Sequence, residues 1–264
     1  MNMKLELLHE KAKTSDKDTP ILFVHGKWHG AWCWQEYFMP YFAQKGYEAY
    51  ALSLRGHAGS EGHERLRWTS IADYVKDVEW AVAQIGKPPV IVGHSMGGFI
   101  TQKYLETNRA PAAVLLTPVP YYGLWNSTFM LLLRHPIMVL RVIATLSLYP
   151  VIETPELARE GLFSQELPRE ALEIYHKRLQ DESFRAYLDE LGLNLARPRR
   201  VNTPMLVLGA EKDTVIPLKS IRDTARAYGT EAFVFEGMAH DVMLEPGWQV
   251  AADHILKWLM ERGL

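Results

Sequence analysis

Short, continuous apolar runs rich in β-branched residues alternate along most of this chain with longer amphipathic ones, and that alternation limits the folds open to it. Ile21-Leu22-Phe23-Val24-His25 reads as a buried strand, Trp32 to Gln44 as a helix ending at Gly46, Tyr47 to Leu52 as a strand and Ile71 to Gln84 as a helix. A strand at Pro89 to Val92, a helix running to about Thr107 and a strand at Ala113 to Leu116 continue the pattern. Alternation of this kind puts parallel strands in one sheet with helices on both faces. Parallel strands buried on both sides read as unbroken apolar runs, as these do. The expected class is α/β, a doubly wound, mostly parallel sheet.

From Val119 to about Pro198 the alternation gives way to helical segments separated by Pro136, Pro150, Pro155 and Pro168. It resumes with a strand at Pro204 to Gly209, a helix at Leu218 to Ala227, a strand at Glu231 to Phe235 and a helix at Trp248 to Met260. The core is therefore expected over residues 1–118 and 199–264, with a helical cap inserted over 119–198. The polar stretch Glu10 to Pro20 reads as a loop.

Composition narrows the function classes. With 48% apolar and 23% charged residues, the 264-residue chain sits in the ordinary globular range. Its 29 basic and 31 acidic residues leave a net charge of −2, and no block of like charge rises above that balance, the densest basic patch being Arg197, Arg199 and Arg200, which disfavours a nucleic-acid partner. A single cysteine, Cys33, forbids an internal disulfide and a Cys-rich zinc site, and its place in a helical run reads as core. The start, Met1-Asn2-Met3-Lys4-Leu5-Glu6, lacks the apolar run of a signal peptide. Leu124 to Ile152, the most apolar region, is broken by Arg134, His135, Pro136 and Arg141, short of the roughly 18 residues of a membrane span. The expectation is a cytoplasmic protein without stable membrane insertion, though transient contact of the insert with a lipid surface fits its apolar content.

Chemistry concentrates at Gly93-His94-Ser95-Met96-Gly97, a G-x-S-x-G sequence lying between the strand Val90-Ile91-Val92 and a helix. That is the setting of a nucleophile elbow, in which a sharp strand-to-helix turn exposes a serine Oγ near a helix N-terminus. A hydroxyl needs a base, and the base needs an orienting acid. In chains with such an elbow the order is serine, acid, histidine. Gly209-Ala210-Glu211-Lys212-Asp213 and Gly237-Met238-Ala239-His240 both follow strands, which places Asp213 and His240 at the sheet edge where ligands bind. Glu211 is the alternative acid, and Asp241 reads as a residue that caps or bonds locally. The oxyanion donors are expected to be the backbone N–H groups of Met96 and of Lys27, in His25-Gly26-Lys27-Trp28. Trp28 is the alternative donor, and the Lys27 side chain is expected to point to solvent.

Taken together, His25-Gly26, Gly93-His94-Ser95-Met96-Gly97-Gly98, Leu208-Gly209-Ala210-Glu211-Lys212-Asp213 and Gly237-Met238-Ala239-His240-Asp241 resemble the α/β-hydrolase superfamily with a helical cap. Leu54-Arg55-Gly56-His57-Ala58-Gly59-Ser60 resembles the loop after that family's fourth strand, with Ser53 where relatives often carry Asp. The segment His25-Gly26-Lys27-Trp28-His29-Gly30-Ala31-Trp32 is similar to a subgroup holding plant methylesterases and hydroxynitrile lyases, and to bacterial esterases and monoacylglycerol-lipase-like proteins. Those lyases place a lysine directly after the histidine, where this chain has Asp241.

A serine nucleophile implies an acyl-enzyme on a carbonyl substrate, unlike the aspartate of haloalkane dehalogenases and most epoxide hydrolases. The resemblance thus implies hydrolysis of a small-molecule carboxylic ester by Ser95, Asp213 and His240, with no metal or organic cofactor. Apolar residues of the insert point to a fairly apolar acyl or alcohol group, and Trp28, His29, Trp125 and Phe129 are the expected pocket residues. A lactonase or thioesterase would use the same residues. A hydroxynitrile lyase-like enzyme and a small-molecule receptor without turnover are the alternatives of a different class.

Overall fold

A computed structural model describes residues 3–14 and 17–264. The first two residues of the start, and Ser15 and Asp16 of the polar stretch expected to be a loop, lie outside them. In chain order the main elements are β1 (Glu6–Glu10), β2 (Ile21–Val24), α1 (Trp32–Gln35), α2 (Phe38–Gln44), β3 (Ala49–Ser53), α3 (Ile71–Ile85), β4 (Val90–His94), α4 (Met96–Tyr104) and β5 (Ala113–Leu116). After β5 come α5 (Trp125–Arg134), α6 (Pro136–Thr145), α7 (Pro155–Leu162), α8 (Arg169–His176) and α9 (Phe184–Leu188). The sheet then resumes with β6 (Met205–Ala210), α10 (Leu218–Ala227), β7 (Ala232–Phe235) and α11 (Trp248–Met260).

The strands of the described residues form one sheet in the order β1-β3-β2-β4-β5-β6-β7. β1 pairs antiparallel with β3, and every other pairing is parallel. β2, β4, β5 and β6 are buried along their whole length. Alternate side chains supply two apolar clusters: Phe23, Val92, Val114 and Leu208 on one face, Leu22, Ile91, Leu115 and Val207 on the other. The α/β class and the mostly parallel sheet are as the sequence leads one to expect.

Two elements depart from the sequence reading. The single helix expected over Trp32 to Gln44 is two helices, broken at Tyr37 (φ −138°). Pro40 explains the break: it has no N–H to donate, and restarting the helix at Phe38 puts it in a first turn, where that N–H would be unpaired anyway. β1 was not foreseen, because Glu-Leu-Leu-His-Glu is short, charged at both ends and only partly buried at the sheet edge. Prolines punctuate the segment between β5 and β6 as expected. Pro136 and Pro155 open α6 and α7, and Pro168 immediately precedes α8.

That segment is attached unevenly. Its second half is bonded to the loops above β2 and β3: the Gln180 amide donates to the Trp28 carbonyl, Gln180 Nε2 to Gly56, and His57 meets Glu182 at 3.1 Å. α5 and α6 contribute only Val142 to the buried core. No single helix of the described residues is long and apolar enough to cross a membrane. α5 and α6 together pass that test by length and composition, but they meet at a bend of 117°.

Candidate active site

Ser95 sits between β4 and α4 with φ 50° and ψ −116°. For a residue with a Cβ this backbone costs on the order of 1–3 kcal/mol and persists only where its surroundings enforce it. The surroundings are visible here: the Ser95 amide donates to Leu116 on β5, and its carbonyl accepts from Phe99 and Val119. Gly97 provides the clearance. A Cβ there would collide with the carbonyl oxygens of Val24 and His25, so only glycine lets α4 begin against the end of β2. Gly26 is equally confined, with Ser95 Cβ 2.9 Å from where its own Cβ would stand. The loop after β2 therefore lies directly beside the serine. Met96, as the first residue of α4, has an amide that its own helix leaves unpaired.

Ser95 Oγ is 2.9 Å from His240 Nε2, and His240 Nδ1 is 2.7 Å from Asp213 Oδ2. The other Asp213 oxygen accepts the amides of Val215 and Ile216 at 2.8 Å each, which orients the carboxylate toward the ring. All three side chains are brought to one edge of the sheet by loops following β4, β6 and β7. Burial works against charging His240, but Asp213 at its Nδ1 outweighs it and holds the imidazole above its ordinary value. Glu211, the alternative acid, faces away and accepts the Gly237 amide at 2.9 Å.

The Lys27 side chain does not point to solvent. It is buried and its ammonium pairs with Glu190, in the turn Asp189–Leu193 before β6. Burial pushes the Glu190 carboxyl up to about 7 against the pull of Lys27. The loop is held on its other side by histidines: His25 Nδ1 donates to the Gly26 carbonyl at 2.8 Å, and His29 Nδ1 to the Lys27 carbonyl at 2.6 Å. Trp28 takes a left-handed conformation, φ 66°. Nor does the Asp241 side chain cap or bond locally, although the residue stands just before the short turn Val242–Leu244. It is buried between His29 and His94. Ser53, where relatives often have Asp, accepts the Ala31 amide and donates to Glu6 of β1, so the carboxylate comes from the neighbouring strand.

Beside Ser95 opens a cleft of about 1050 Å³, its solvent mouth included. Lys27, Trp28 and Ser95 form its inner end, and apolar side chains such as Leu124, Leu131, Met138 and Val142 form its walls. Of the expected pocket residues Trp28 takes that place and the other three do not. His29 is buried behind the loop. Trp125 and Phe129, one helical turn apart, share the outer face of α5 and are 63% and 59% exposed. His94, His240 and Asp241 bring ligand atoms within 4.8 Å of one another. An ion held there would take His240 from its contacts with Ser95 and Asp213.

Among characterised relatives, the chain is 24% identical over 234 residues to a monoacylglycerol lipase of Mycolicibacterium smegmatis, covering 83% of this chain and 80% of that protein. Among solved structures, an esterase of Exiguobacterium antarcticum superposes with a TM-score of 0.77 at 16% identity, over 98% of this chain and 96% of that one. A putative non-heme bromoperoxidase of Mycobacterium tuberculosis gives 0.79 at 18% identity, over 99% and 97%. These structural likenesses concern the fold. A model of the alpha/beta hydrolase family matches residues 21–252, from β2 into α11 and across Ser95, Asp213 and His240, and the chain belongs to that family.

Proposed function

We propose that this protein is a serine carboxylic ester hydrolase in which Ser95 is the nucleophile, His240 the general base and Asp213 its orienting acid. The observation that carries this reading is the unbroken contact chain from Asp213 through His240 to Ser95, ending at the inner end of an apolar cleft. Ser95 Oγ attacks the ester carbonyl as its proton passes to His240 Nε2. Asp213 keeps the imidazole in the right tautomer and stabilises the imidazolium. The Met96 and Lys27 amides hold the oxyanion, a contact whose loss typically costs about 10²–10³ in rate. His240 then protonates the departing alcohol, and a water activated by the same ring releases the acid. This chemistry calls on no metal or organic cofactor.

In this reading residues 119–198 cap a core of 1–118 and 199–264, and the walls they lend to the cleft select esters with a fairly apolar acyl or alcohol group. Hydrolysis of a monoacylglycerol or a comparable ester is consistent with the lipase named above. The outer side chains Leu133, Ile137 and Leu140, each more than 60% exposed, suit transient contact with a lipid surface. A cyanohydrin-lyase reading is weaker, because Asp241 follows the histidine and the nearby cation, Lys27, is already paired with Glu190.

The test is hydrolysis of p-nitrophenyl esters from acetate to palmitate by the wild type and Ser95→Ala. Turnover that falls by about 10⁴ or more in the variant supports the proposal. Turnover that survives the substitution, or none on any ester, lactone or thioester, overturns it.

A further inference from the structure

Directly behind His240 lies a second set of buried titratable groups that the reaction above does not use. Asp241 Oδ2 is 3.0 Å from His29 Nε2, and its Oδ1 is 3.5 Å from His94 Nε2. The other nitrogen of His29 donates to the Lys27 carbonyl. The His29 ring therefore stands between a carbonyl of the loop after β2 and a carboxylate of the loop carrying His240. Burial alone would push the Asp241 carboxyl up, yet the His29 and His94 imidazoles hold it below the usual carboxylate range. Burial and the nearby His240 bring His94 down to about 3, so it is neutral and donates Nε2–H to the His240 carbonyl.

We propose that His29 and Asp241 are positioning residues of the hydrolytic site, a histidine–carboxylate pair that fixes the loop after β2 against the loop carrying His240. One end of the pair grips the Lys27 carbonyl, next to the proposed oxyanion amides. The other is the residue adjoining His240, whose carboxylate also favours the positive charge that His240 takes up in the reaction. The proposal rests on the roles given above to Ser95, His240 and Asp213. His240 is faced by Asp213 from the loop after β6, by His94 from β4 and by Lys27 from the loop after β2, whose ammonium opposes its charging. Asp241 is also near Cys33 of α1 and Glu245 of its own loop.

The experiment uses the full chain labelled with ¹⁵N-histidine, as wild type, Asp241→Asn, His29→Asn and His29→Phe, and follows the His240 ring by NMR across pH beside ester kinetics. The His240 titration midpoint should fall in Asp241→Asn. kcat of that variant should drop about 10- to 100-fold with KM unchanged, the scale of a misplaced catalytic group. His29→Asn keeps a donor close to the place of Nδ1 for the Lys27 carbonyl and should retain more kcat than His29→Phe. A His240 midpoint that does not move in Asp241→Asn, or wild-type kcat in His29→Phe, overturns the proposal. If Asp241→Asn does not fold, the two His29 variants decide, and equal kcat in both overturns it. Absence of ester turnover in the wild type would instead strike the esterase reading, and the His240 titration in Asp241→Asn would still judge the pair.

Discussion

His240 is the residue on which the proposed chemistry turns, and its surroundings set a pH dependence with a definite sign. Only the neutral ring can take the Ser95 proton. Asp213 and Asp241 favour the charged ring strongly enough to overcome its burial, so the folded value lies above the ordinary 6.5. Activity is therefore present at high pH and lost as pH falls through that raised value. A kcat/KM profile between pH 5 and 9 should rise with a midpoint above 6.5, and a midpoint at or below it would contradict this account of the site. Asp213→Asn should cost about 10⁴ in kcat while leaving the fold intact, because the uncharged amide admits the wrong tautomer. Ser95, Asp213 and His240 were legible in the sequence because each follows an apolar strand within a short local motif. Lys27 was misread for the opposite reason: its partner Glu190 is 163 residues away, and nothing near either residue announces the pair.

Among the elements, the junction of β4 and α4 and the attachment of the segment before β6 carry the most weight. Gly97→Ala would press a methyl group into the Val24 and His25 carbonyls. Its expected cost is at least about 1–3 kcal/mol, with α4 displaced and Ser95 disabled, read from thermal unfolding and ester turnover together. Glu190→Ala would leave the Lys27 ammonium buried without its carboxylate, a change that typically costs about 3–5 kcal/mol. Glu190 also gives stability a slope. Its carboxyl is raised in the fold to about 7 from an ordinary 4.5, so the folded chain holds a proton that the unfolded chain releases. Stability from this group is full below 4.5 and is lost as pH climbs toward 7. Urea midpoints of Glu190→Gln should lack that decline. The strands other than β1, and most helices, were legible from apolar runs and proline positions. The tilt and rotation of α5 were not, since Trp125 and Phe129 lie on an apolar helix that has no buried residue, and burial is what fixes the phase of a helix.

At the scale of the molecule, a mostly parallel sheet carries the proposed reactive groups on three of its loops, and α5 and α6, with Val142 their one buried residue, line the cleft beside them. That division predicts separable effects. Met138→Trp, on the cleft wall far in sequence from the reactive groups, should shorten the preferred acyl chain and leave kcat on p-nitrophenyl acetate near its wild-type value. An unchanged chain-length profile would remove α6 from the substrate site. The order of strands and helices on either side of α5 to α9 was legible because strand–helix alternation stops after β5 and restarts at β6. Which side chains of α5 and α6 line the cleft depends on packing between elements far apart in the chain. The central claim is that Ser95 carries the acyl group, and acid-quenched mass spectrometry of peptides after brief mixing with p-nitrophenyl butyrate tests it most directly. The account predicts a butyryl adduct on the peptide containing Ser95, absent in Ser95→Ala. Rapid turnover with the adduct on another residue would contradict it.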